Sequence, residues 1–271
     1  GTPTEAIKGV AVCLQAIACH HVQVPEEHLA KIKCIVGRLG RDADGLREKN
    51  RQRLLQLDDP ANLAKLLHLP EALVIKAERM FATRPRKAAL IMQAAVAIEI
   101  LLNAPMRVSN LSALNLAEHM RQVGKGRGRR TLIHIPAEQV KNSKALDYEL
   151  GPEATALLDL YVEEARPHLL VEPSNFLFPA MDGGPKASNG LSRLIKDMIL
   201  EHTGLVVNAH LFRSIAGKIH SLVQPGDVTT LAYVLNDSIP TAMKAYAQFE
   251  HRSALEHYQA SVAKARRKDA A

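Results

Sequence analysis

Two arginines and a histidine stand where an anion could be held. In His210-Leu211-Phe212-Arg213 the spacing places His210 and Arg213 one helical turn apart, so both can reach a single anion. On that helix Leu211, Ile215, Ile219 and Leu222 fall on one apolar stripe, and His210, Arg213 and Gly217 on a neighbouring polar face. Gly217 costs the helix roughly 1 kcal/mol against Ala and leaves room for something to approach. The ordinary surface face of an amphipathic helix accounts for the same pattern. Arg107 lies in Pro105-Met106-Arg107-Val108-Ser109-Asn110-Leu111, directly after a long apolar segment and a proline. An arginine so near a core needs a partner. A phosphate would serve, and so would a salt bridge or the end of a neighbouring helix.

These groups must be positioned by helices. Apolar residues recur at helical spacing over 4–18, 26–39 and 44–57, and Asp58-Asp59-Pro60 is a helix start. Another helix runs from Leu69-Pro70-Glu71 to about Ala82. Thr83-Arg84-Pro85-Arg86 breaks the pattern, which suggests a helical N-terminal domain over 1–84 and a second domain over 85–271. Residues 87–103 are apolar on nearly all sides and predict a central buried helix. The β signal is confined to 119–123, 131–136 and 146–150. A Gly-rich basic loop and Lys141-Asn142-Ser143-Lys144 form the turns between them. Helices are expected again at 152–166, 188–202, 210–223, 228–235, 241–249 and 253–268. The fold class is therefore mainly α with a small three-stranded antiparallel sheet.

Composition agrees. The 271 residues are 47% hydrophobic but only 4% aromatic, with no Trp, so Leu, Ala, Ile and Val must fill the interior, which favours helices. The formal net charge of +7 favours polyanionic partners, nucleic acid first. Residues 121–130 (RQVGKGRGRR) hold five basic residues and no acid, and 264–268 (KARRK) four more. Both stretches read equally as solvated loops or tails. Three cysteines, Cys13, Cys19 and Cys34, make no disulfide framework and suggest a reducing compartment. Cys13, Cys19, His20 and His21 match no common zinc spacing. The longest apolar run, 88–102, is too short to span a bilayer. Gly124-Lys125-Gly126-Arg127-Gly128 lacks the spacing of a nucleotide-binding phosphate loop, and no carboxylate cluster suits two metals. The start at Gly-Thr-Pro rather than Met reads as a trimmed end.

Taken together, these residues resemble the catalytic domain of the tyrosine recombinase (phage integrase) family. Arg107 with Ser109 and Leu111 fits the family's small-x-Arg-x-Ser-x-Leu context after a long apolar helix. A three-stranded sheet with a lysine in its second turn follows. Lys141 fits best there, and Lys144 competes. His210 and Arg213 match the His-x-x-Arg box, and Tyr246 lies about one helix-turn-helix further on, at the position of the nucleophile. Val234-Leu235-Asn236-Asp237-Ser238 aligns with the family's Leu-Gly-His-Ser segment. The resemblance covers about 86–249, and the first third looks like the family's core-binding domain by position and class. The chain departs from the pattern at Asn110, where an acid is usual, at Ser214, where His is common, and at Asn236-Asp237 in place of Gly-His. A carboxylate at 237 would repel a phosphate unless it is turned away or protonated.

The resemblance implies a site-specific recombinase that cleaves and rejoins double-stranded DNA through a 3′-phosphotyrosyl intermediate, needing neither metal nor ATP and no small-molecule cofactor. Its catalytic set would be Arg107, Lys141, His210, Arg213, Asp237 and Tyr246. Phosphate contacts would come from Lys125, Arg127, Arg129, Arg130 and Lys144. The family works as a tetramer in synapsis, which sets the expectation of a homo-oligomer on DNA, with no membrane partner and a cytoplasmic, nucleoid-associated location. A DNA-binding relative without the chemistry and a type IB topoisomerase are the neighbouring readings. A basic helical protein with another task is the remaining one. Among the other tyrosines, Tyr233 sits in an apolar stretch that reads as core, Tyr148 in a strand and Tyr258 in the last helix.

Overall fold

The structure, a computed structural model, describes residues 5–39, 48–224 and 226–243, with 258, 259, 262 and 266. The chain divides into two compact units, Gly1–Arg47 and Glu48–Ala271. The junction expected after residue 84 falls inside the second unit.

The first unit is a pair of packed helices, α1 (Glu5–His20) and α2 (Glu26–Arg38). Acids in the first turn of α2 and Arg38 in its last complement the helix dipole.

The second unit opens with α3 (Glu48–Leu55) and α4 (Pro60–Leu67). Asp59 caps α4, its carboxylate accepting from the Ala61 N–H at 2.8 Å. Next come α5 (Leu69–Phe81) and α6 (Pro85–Asn103), which pack along one another. The sequence pattern treats Pro85 as a breaker. It is instead the start of α6, where a missing N–H is harmless and the fixed φ suits the first turn. That placement explains why the break at 83–86 does not divide the fold. α6 is the core helix. From Ala88 to Leu101 all but two positions are buried, including five alanines that let neighbouring helices approach closely. Its one buried polar side chain, Gln93, donates to the Tyr161 hydroxyl at 3.0 Å, and that hydroxyl donates to the Leu177 carbonyl at 3.0 Å.

After α7 (Val108–Ser112) the sheet forms from β1 (Met120–Val123), β2 (Arg130–Ile135) and β3 (Leu146–Leu150), antiparallel in the order β1-β2-β3. Thr131, Ile133 and Ile135 of β2 alternate inward, as the period of two requires, and α8 (Pro152–Leu160) packs on that sheet. The helix expected over 152–166 leaves α geometry at Leu160 and continues as a π turn, Tyr161–Ala165.

The last described elements are α9 (Ser188–Thr203), α10 (Phe212–Val223) and α11 (Val228–Leu235). Three expectations change here. His210 is not in the α10 helix but in a 3-10 turn, Ala209–Leu211, that precedes it. The buried stripe runs through Leu211, Phe212 and Ile215, whereas Leu222 is exposed and Gly217 buried, so Gly217 opens no polar face. Tyr233, read as core, is 80% exposed, because only Leu231, Ala232 and Leu235 of its apolar run turn inward. Residues 239–243 are helical, while the rest of the expected 241–249 helix, Tyr246 included, lies outside the described residues. Most of the expected 253–268 helix does too. No helix among the described residues is long and apolar enough to cross a membrane.

Candidate active site

Four separated stretches of the second unit meet at one place. α6 ends at Ala104, and Pro105 and the buried Met106 carry the chain to Arg107, which stands in extended geometry (φ −68°, ψ 144°) as the cap residue of α7. The Asn110 and Leu111 amides close on the Arg107 carbonyl, so backbone hydrogen bonds fix where its side chain begins.

Arg213 is in the first turn of α10, its side chain only 13% exposed. It donates from Nη1 to the Pro105 carbonyl at 3.0 Å, and from Nη2 to the Leu235 carbonyl at 2.8 Å and to the Asp237 carboxylate. One guanidinium thus joins the α6–α7 connection, the end of α11 and the segment beyond it. Arg107 faces the same carboxylate, with Nη2 3.9 Å from Asp237 Oδ1. The two arginines converge on one anion, and in this structure that anion is the carboxylate of Asp237.

His210 joins them from the 3-10 turn, which Asn208 caps by accepting from the Leu211 N–H at 3.2 Å. Although His210 keeps much surface open to solvent, desolvation of its ring is the first cause of a pKa held below the usual 6.5. The charges of Arg213 and Arg107 add to it. At neutral pH the imidazole is uncharged and able to accept a proton. Because its folded pKa is lowered, the neutral form is favoured above 6.5, and protonation sets in as pH falls through the lower value. If His210 is the base, covalent adduct formation should be level above pH 6.5 and decline on acidification. His210→Gln should be slower throughout and lose that acid limb, as a pH–rate profile would show.

Lys141 and Lys144 lie on the β2–β3 turn, which passes through Ser143 at φ 50°. The turn is tied to the Asp237 segment: Asn142 Nδ2 donates to the Asn236 carbonyl at 3.3 Å, and Asn236 Nδ2 donates to the Ala145 carbonyl at 2.9 Å. Lys141 also borders a cavity of about 340 Å³ lined by Ser109, Asn110, His119 and Gln139. Asn110 is buried there and its Nδ2 has no partner among the described residues, a consequence of an amide at this position.

Pattern reading missed two participants. Tyr148, on β3, donates its hydroxyl to the Val234 carbonyl at 3.1 Å. Its pKa is raised above 10, by burial first, with Arg213 and Arg107 opposing and Asp237 adding. A phenol so bonded and so raised is a poor nucleophile. Asn236 was visible only as a departure from Gly. It is the left-handed C-cap of α11 (φ 47°), a conformation that Asn tolerates better than most residues.

In the basic loop, a 3-10 turn Gly126–Gly128 joins β1 to β2. Arg129 pairs with Asp159, and Arg130 with Glu149. Lys125 and Arg127 are exposed, so two of the four phosphate contacts expected of this loop already have acidic partners.

The architecture is that of the tyrosine recombinases, helices around a small antiparallel sheet. The chain is similar to a XerH site-specific recombinase solved bound to a palindromic difH substrate as a post-cleavage complex. The two share 16% identity with a TM-score of 0.52, over 71% of this chain and 51% of that one. A XerA recombinase (13% identity, TM-score 0.48, 94% of this chain and 82% of that one) is a more distant match. A lambda integrase fragment, solved as a dimer bound to a COC′ core site, is another (16%, 0.41, 88% and 94%). At these identities the likeness is one of fold, and the chain spans about half the length of the XerH protein. No protein-family model and no curated protein sequence matches the chain.

Proposed function

We propose that the chain is a DNA strand-cleaving and rejoining tyrosine recombinase, with Tyr246 as nucleophile. The observation that carries this reading is the convergence of Arg107, Arg213 and His210 on one anion-holding centre, with the Lys141–Lys144 turn hydrogen-bonded to the adjoining Asn236, within a recombinase fold.

The chemistry follows from the groups. In-line attack by the Tyr246 oxygen on a phosphodiester gathers negative charge on the non-bridging oxygens. Arg107 and Arg213 offer paired N–H donors to that charge, an effect of on the order of 3–4 kcal/mol per donor group in comparable sites. His210, neutral at pH 7, takes the phenol proton. The P–O5′ bond breaks and the leaving oxygen receives a proton from Lys141, or from Lys144 on the same turn. The 3′-phosphotyrosine keeps the ester energy, so a 5′-hydroxyl can reverse the step without ATP or metal. Lys125 and Arg127, with Arg129 and Arg130 once released from their acids, supply salt-sensitive phosphate contacts. The helices that precede α6 contribute further DNA contacts, and synapsis assembles a homo-tetramer on double-stranded DNA.

A second reading, a DNA-binding relative that does not cleave, is favoured by one observation: Asp237 already occupies the place between the two arginines. Covalent trapping separates the two. Wild type and Tyr246→Phe are incubated with randomised duplexes whose nicks release the cleaved fragment, then denatured in detergent. An adduct formed by wild type and absent from Tyr246→Phe is the expected result. Salt-sensitive binding with no adduct from wild type would favour the silent relative.

A further inference from the structure

The arginine pair carries its own anion, and the backbone around that anion is arranged to hold it. The Asp237 side chain is 18% exposed, with one carboxylate oxygen bonded to Arg213 and the other facing Arg107 at 3.9 Å. Its amide donates to the Ala232 carbonyl at 3.0 Å, closing the end of α11. The preceding residue, Asn236, is in the left-handed conformation and bonded to the β2–β3 turn through both its side chain and its carbonyl. An acid on an untethered loop would swing into water. This one is held from two sides with its carboxylate turned inward.

We propose that Asp237 is a selectivity residue for the arginine pair. Its carboxylate holds the position that a phosphodiester must take. Only a phosphate delivered by duplex DNA, anchored through other contacts, displaces it, whereas free phosphate does not. This rests on the reading of Arg107 and Arg213 as the phosphate-binding pair. Two bare guanidiniums would attract any oxyanion. With Asp237 in place, a lone phosphate must exchange one set of charge-assisted hydrogen bonds for another of similar strength, and it gains little. A duplex phosphate arrives already tethered by contacts elsewhere, at high effective concentration, and the exchange then runs in its favour. The departure from the family's Gly-His pair is, on this view, a filter against adventitious anions.

The test uses the full chain as wild type, Asp237→Asn, Asp237→Glu and Arg107→Ala. Two quantities are read: the melting temperature with and without millimolar inorganic phosphate, and the affinity for the nicked duplex pool across a salt series. Wild type and Asp237→Glu should melt at the same temperature with phosphate as without. Asp237→Asn should become phosphate-stabilised, bind duplex about tenfold tighter, and show a salt slope steeper by about one ion. A purely structural carboxylate would give Asp237→Asn a lower melting temperature with no response to phosphate and no gain in DNA affinity, and that result would overturn the proposal. So would a wild type that phosphate already stabilises. Asp237→Ser provides the same readouts should the amide fail to fold. Arg107→Ala distinguishes loss of the phosphate-binding role from loss of the filter. Unchanged DNA affinity in that variant removes the phosphate-pair reading itself. Weakened affinity, with Asp237→Asn no tighter than wild type, removes the filter alone.

Discussion

Arg213→Ala is expected to lower the melting temperature by on the order of 10 °C and to cut the rate of covalent adduct formation by about 10²–10³-fold in the protein that remains folded. The stability loss follows from what Arg213 holds. Removing it leaves the Pro105 and Leu235 carbonyls without their donor and strands the largely buried Asp237 carboxylate against Arg107 alone at 3.9 Å. Breaking a buried pair on one side costs about 3–5 kcal/mol, mostly as the uncompensated charge of the survivor. Arg213→Lys restores charge without the planar fork. It should recover part of the melting temperature and little of the rate. Thermal melts of the three proteins, beside single-turnover trapping, make the comparison. An Arg213→Ala protein that melts with wild type would show that the three contacts do not hold the unit together.

Phe212→Ala is the second large effect, and it acts by a different route. Phe212 is 1% exposed and sits between the two residues of the His-x-x-Arg box, turned into the core while they face the arginine centre. Truncation leaves a cavity where α10 meets the rest of the unit, at a cost of about 3–5 kcal/mol. Phe212→Leu fills most of that space and should cost well under half as much. Denaturant unfolding monitored by circular dichroism measures both. Adduct formation per folded molecule should fall in Phe212→Ala as well, because His210 and Arg213 lose their fixed base. A Phe212→Ala variant as stable as Phe212→Leu would mean that this end of α10 is not packed as described.

The helices and strands were readable because each rests on local chemistry. Asp59-Pro60 starts α4 with a cap and a proline at the first turn, and the apolar run in α6, interrupted only by Gln93 and Glu99, leaves it no surface to be anything but central. The sheet was visible in three short β-rich stretches separated by Gly-rich and Lys-Asn-Ser-Lys turns. What was not legible depends on neighbours distant in sequence. Tyr233 belongs to an apolar run with no clear period, so only packing decides that it faces outward. His210 and Arg213 are three apart in either helix type, and the 3-10 turn comes from the Asn208 cap rather than from their spacing. Arg129 and Arg130 read as free cations because Asp159 and Glu149, which pair with them, stand on α8 and β3. The carboxylate of Asp237 could be foreseen as a conflict with a phosphate. That it resolves the conflict by pairing with both arginines required the fold.

The stitching between Asn142, Asn236 and Ala145 has a temporal consequence. The lysine-bearing turn and the Asp237 segment share hydrogen bonds across the gap between β3 and α11, so neither loop relaxes without loading the other. A displacement of the Asn236–Asp237 backbone is therefore transmitted to the turn that carries Lys141 and Lys144. On the proposed reading of Lys141 as proton donor and of Arg107 and Arg213 as the phosphate clamp, these bonds couple the two, so that DNA entry at the arginines and presentation of the lysine occur together.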